Sequence, residues 1–141
     1  MSVRVYLPVT RDELARLVEE RRLPGPREGH AVTDMLRAEW PDGDDEGWEY
    51  AAMQAAAADS WHLRVEGDVP RRFVVAADVS SVAAGQADDV TAVQVEFDVV
   101  WKNVAAAHAD TDDLDGDPTA LDAPDIELAW YATQELADLT G

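Results

Sequence analysis

The sequence predicts an α+β fold, a four- to five-stranded sheet with about three main helices packed largely on one face, and three observations carry that prediction. Apolar and polar residues alternate with period two in "VRVYLP" and "VTAVQVEFDV". Helical spacing follows Thr10, Asp45 and Asp125. The apolar stripes of the helices and the apolar face of the strands need each other for burial, which leaves the second sheet face partly solvated.

Each element has its own justification. In the first strand Val3, Val5 and Leu7 alternate with Arg4 and Tyr6. Thr10 and Glu13 then have capping-box spacing, and Leu14, Leu17 and Val18 recur at helical intervals until "LPGP" stops the run near Leu23. "HAVTDMLRAEW" reads as a short extended piece around residues 31–33, followed by a short helix capped by Thr33 or Asp34 and ending before Pro41. After the turn "PDGDDEG" the longest helix runs from about Asp45 to Arg64. Tyr50, Met53, Ala57 and Trp61 form its expected seam, with alanines keeping the flanks thin.

Beyond "PRR" the period becomes two. "FVVAADV" is apolar enough for a central strand, and Val93, Val95, Phe97 and Val99 share one face of the next. Gly85 is the expected pivot of the connection between them, and "NVAAAHAD" returns as a further strand. An acidic loop at about residues 110–124 leads to the terminal helix, expected from about Asp125. On a wheel of about 100° per residue, Ile126, Leu128, Ala129, Trp130, Ala132, Leu136, Ala137 and Leu139 fall on one broad arc. Trp130 is thus expected to anchor the helix to the sheet. Tyr131 is expected on the opposite side, among Glu127, Glu135 and Asp138, with Gln134 at the border.

Composition bounds the function. A chain of 141 residues with 47% hydrophobic content is expected to form a single compact domain over residues 1–141. No apolar run approaches the roughly 20 residues of a membrane span, and "MSVRVYLPV" is too short an apolar stretch for a secretory signal, so the expected location is cytoplasmic. Without cysteine there is no disulfide framework, thiolate nucleophile or Cys-ligated metal. Thirty Asp and Glu against 11 Lys and Arg give a net charge of −19, which repels phosphate backbones and anionic bilayers. Neither nucleic acid nor membrane is an expected partner, and no cofactor is expected.

Candidate chemistry is sparse. In an extended segment His108, Asp110 and Asp112 project to one side, a spacing that suits a divalent ion, although so many acids make such spacings common. Asp113, Asp115, Gly116 and Asp122 fall at calcium-loop places, but Thr111 and Pro118 depart from that pattern. His30 and His62 read as structural or exposed. Ser60, Ser80 and Ser81 lack a nucleophile elbow, and neither a phosphate loop nor "GxGxxG" occurs. Glu49, Glu96, Asp98 and Glu135 are acids that only burial can rank, and the arginines of "PRR" are an anion-contact candidate.

"RVYLPVT", "AVTDMLR", "EYAAMQAAA", "PRRFVVAADV", "VAAAHAD" and "WYATQEL", in this order, cover almost the whole chain. Together they resemble a family of small uncharacterised proteins from high-GC bacteria, a domain of unknown function. The resemblance implies one compact cytosolic domain, assigns no functional residue, and implies that residues 110–117 are an elaboration of this chain. The leading functional expectation is a non-enzymatic protein-binding or regulatory module whose partner is another protein, engaged through the acidic loops and the exposed edge of the terminal helix; Tyr131, Gln134, Glu135 and Tyr50 are the expected ligand or partner surface. Homo-oligomerisation is compatible with the sequence. The alternative is a small hydrolase or ligand-binding enzyme with a pocket between the long and terminal helices, using Tyr50, Tyr131, Gln134 and Glu135, with His108 as a further candidate. A nucleic-acid mimic ranks lowest.

Overall fold

The apolar strands foreseen from period-two patterning do form, but they join a larger sheet than the sequence suggests. The computed structural model describes residues 2–85, 89–119 and 128–140. Its strands are β1 (Val3–Val9), β2 (Arg22–Leu23), β3 (Arg27–His30), β4 (Phe73–Val79), β5 (Ala83–Ala84), β6 (Ala92–Val95), β7 (Val99–Val100), β8 (Val104–Ala109) and β9 (Ala129–Ala132). Its α-helices are α1 (Arg11–Glu20), α2 (Asp34–Glu39), α3 (Asp45–Leu63) and α4 (Leu136–Thr140). Seven strands form one antiparallel sheet in the order β5-β6-β3-β1-β4-β8-β9, and β2 pairs with β7 in a separate ribbon. The fold remains mixed α and β; the expected four to five strands are corrected to seven plus two. The extra strands are quiet in sequence: "REGH" of β3 has no apolar alternation, and β5 is two alanines.

The placement of helices on one face is also corrected. Alternate residues of β1 and β4 divide between two cores. Val5, Leu7, Val9, Phe73, Val75, Ala77 and Val79 meet Leu14 and Leu17 of α1 and Leu136 of α4. Tyr6, Val74 and Ala76 point the other way and meet Ala52, Ala56 and Ala57 of α3. The result is three layers, with the middle strands buried on both faces.

Local signals hold where capping chemistry fixes them. Thr10 and Glu13 form the capping box of α1, which ends at Arg21 in the left-handed region (φ 63°). Thr33 caps α2, and its hydroxyl also donates to the Val90 carbonyl, tying that helix to the start of β6. Asp44 caps α3. The seam of α3 is corrected: Tyr50 is 45% exposed and Met53 and Trp61 are half-buried, while Ala52, Ala56, Ala57 and Ser60 face the sheet. Small residues let the helix backbone approach Tyr6, Val74 and Ala76, and the large ones ride at its rim. Ser60 joins the strands beneath by donating to the Val9 carbonyl (2.7 Å) and accepting from the Phe73 N–H (2.9 Å).

Phe97, expected on the apolar face with Val93 and Val95, is 39% exposed because the strand stops at Val95. The Gly25 N–H donates to Asp98, and a Cβ at Gly25 would lie 2.3 Å from the Phe97 carbonyl oxygen. This close approach draws the chain out of the large sheet, so that Val99 pairs with Leu23. Asp122, Asp125, Ile126 and Glu127, on which the calcium-like spacing and the start of the terminal helix depended, lie outside the described residues, as do residues 86–88 of the Gly85 connection.

Candidate functional site

The residues singled out near the C-terminus lie in a strand. "AWYA" is β9, an edge strand of the large sheet, paired with β8 by Ala109↔Ala129, His108↔Trp130, Ala107↔Tyr131 and Ala106↔Ala132. Aromatics suit a pleated surface, and the strand closes where the Thr133 hydroxyl donates to the carbonyls of Val104 and Ala105. Among the described residues of this terminal segment, only Leu136–Thr140 is α-helical. Period two therefore replaces period 3.6 and inverts the expected orientation of the two rings. Tyr131 is half-buried against the main core, and Trp130 stands 62% exposed on the α3 side of the sheet.

The edge has further definition. Glu135 turns back to accept from the Ala132 N–H (3.0 Å), so that N–H points away from β8. By the two-residue period of a strand, the main-chain groups of Trp130 point outward as well. Among the described residues no strand pairs with this outer side of β9. Gln134 and Glu135 are exposed beside it, and Asp112, Asp113 and Asp115 are exposed in the loop that leaves the other end of β8. Tyr50 does not join them. It lies on α3, whereas Tyr131 packs on the opposite face, so the four residues form no single surface. Gln134 borders a hollow of about 470 Å³ with Val18, Arg21, Trp101, Thr133 and Ala137. The sheet separates α3 from α4, which pack on its opposite faces.

His108, Asp110 and Asp112 are not brought together. The His108 ring sits 6.3 Å from that of Tyr6, and burial, with Arg4 nearby, holds its pKa below the ordinary value. Asp110 faces Arg72: its Oδ1 accepts from Nη2 (2.8 Å), and its Oδ2 accepts from Nε (3.0 Å) and from the backbone N–H (2.7 Å). Both residues are 4% exposed, so this is a buried bidentate pair clamping the start of β4 to the end of β8. It also accounts for one arginine of "PRR"; Arg71 pairs with Asp113. Asp112 is exposed, and among the described residues no three His, Asp or Glu side chains form a metal-holding group.

Sequence reasoning passed over one constellation. His30, 3% exposed, lies 2.6 Å through Nε2 from Asp59 Oδ2 and 2.7 Å through Nδ1 from Thr91 Oγ1. Thr91 in turn donates to Asp89 through Oγ1 (2.7 Å) and N–H (2.8 Å). Burial works to raise the Asp89 carboxyl, but the Thr91 bonds, helped by His30, hold it below its ordinary value. Asp59 ends the chain at a cleft of about 420 Å³ lined by Pro8, Glu13, Arg27, Glu28, His62 and Leu63. No spacing signals this cluster, because β3, β6 and α3 meet only in three dimensions.

A family model matches residues 3–140. The chain belongs to a family of unknown function, DUF6912. No curated protein and no solved structure matches it. Membership bears out the expectation of a domain of unknown function and assigns no activity to any of the residues above.

Proposed function

We propose that this chain is a protein-binding module that engages its partner at β9. The observation that supports this reading is Trp130, a large aromatic left exposed on an edge strand whose other aromatic, Tyr131, is packed inward. Exposed edges invite pairing, and tryptophan is among the residues that most often dominate binding energy at protein interfaces. The test is affinity capture from lysate at several ionic strengths, using the full chain and its Trp130→Ala variant. A partner retained by the native chain and lost by the variant is the expected result; equal recovery by both, or none at any salt, counts against the reading.

A second reading, a ligand-binding enzyme, draws on the cleft at Asp59 and the buried His30 behind it. A carboxylate held by an imidazole can take up a proton from a bound substrate. Screening ester, amide and phosphoester model substrates tests it, with turnover abolished by Asp59→Asn as the expected result; absence of turnover in the native chain removes it.

A further inference from the structure

We propose that the outer side of β9 accepts an extended, basic segment of another protein as an added strand; the inference rests on the reading of β9 as the binding edge and names the chemistry of what binds there.

Three features combine. By strand period the main-chain groups of Trp130 face away from β8, which is what main-chain pairing with an incoming strand requires, while the Ala132 N–H on the same side is already held by Glu135 and marks where that pairing ends. Such pairing fixes an extended backbone whose alternate side chains fall on Trp130's face, where the indole offers them an apolar, cation-receptive surface. The surroundings are acidic: Glu135 and Asp138 are exposed where the chain leaves β9, on a chain whose net charge is −19.

Charge decides between occupants. A second copy could in principle pair edge to edge, but it would bring another net charge of −19 against the same strand. Like charges juxtaposed at an interface oppose association, whereas a lysine- or arginine-rich segment gains from the field and is steered by it. An acidic or neutral strand gains only the backbone bonds.

The experiment pans a display library of random linear peptides against the full chain. Enriched peptides are expected to alternate Lys or Arg with apolar residues and to shift the backbone amide resonances of Trp130 and Ala132. Their affinity is expected to fall about tenfold in Trp130→Ala and with a proline placed centrally in the peptide. Glu135→Arg is expected to erase the preference for basic sequences, and raising salt to weaken binding as the Debye length shrinks from about 8 Å at physiological ionic strength to about 3 Å at 1 M. Peptides that map to β9 but are not basic, or that tolerate the proline, overturn this inference and leave the binding-edge reading standing. So does a dimer in sedimentation that Trp130→Ala dissociates, since the edge would then belong to a second copy. Peptides that all map elsewhere, or no enrichment at all, overturn both.

Discussion

The two faces of the large sheet are packed by different means. On one, α1 and α4 bring Leu14, Leu17 and Leu136 onto a bed of valines. On the other, α3 lies over β1, β4 and β3 on alanines, with Tyr6 as the one large ring beneath it. The leucine face reaches far enough to bury Tyr131 partly, while the narrow alanine contact leaves Trp130 exposed two strands from β1's neighbour β4. Trp130 is exposed because the main contacts of α3 are with β1, β4 and β3, away from the edge strand β9.

Asp110→Ala removes the bidentate carboxylate from the buried Arg72 where the start of β4 meets the end of β8, and should cost about 3–5 kcal/mol in urea denaturation. Leu17→Ala opens a cavity on the leucine face and should cost about 2–5 kcal/mol. Enlargement tests the alanine face: Ala56→Leu should cost about 1–3 kcal/mol by overpacking, and tolerance of leucine there would show that α3 does not sit closely on the sheet. A smaller effect follows from His108, whose folded pKa lies below its ordinary value of 6.5 because of burial and then Arg4. Above pH 6.5 the ring is neutral folded or unfolded and costs nothing; as pH falls through 6.5 toward the lower folded pKa, the unfolded chain binds the proton more readily and stability declines. His108→Gln should therefore flatten the melting temperature against pH across that window. Trp130→Ala should change stability by no more than about 0.5 kcal/mol, which is what permits its use in binding assays.

What the sequence revealed depended on whether a single short-range rule governed the segment. The capping box at Thr10 and Glu13, the alternation of β1, the central position of "FVVAADV" and the return strand "VAAAHA" were all legible, because hydrogen-bond geometry or burial on both faces left few alternatives. The terminal segment was not. In "LAWYATQEL" apolar residues are dense enough to satisfy a helical arc and a strand alike, and pairing of Trp130 with His108, across a long stretch of chain, decided for the strand. The α3 seam misled for a related reason: a rule that weights large side chains selects Tyr50 and Trp61, while the sheet selects alanines. Asp110 looked like a metal ligand because Arg72 is distant in sequence, and His30 looked inert because Asp59 and Thr91 approach it from elements far along the chain. The candidate site was thus legible as a set of interesting letters, but its geometry came only from long-range pairing.

β1 sits in the middle of the sheet, between β3 and β4, yet it is made before either of them. During translation its two hydrogen-bonding edges stay without their partners until Arg27–His30 and then Phe73–Val79 have left the ribosome. A nascent chain halted before Phe73 has no closed centre to its sheet, so assembly must wait on sequence-distant closure. The whole of α3 lies between β3 and β4 in the chain, so the centre of the sheet is built from pairings of high sequence separation, the kind that slows folding.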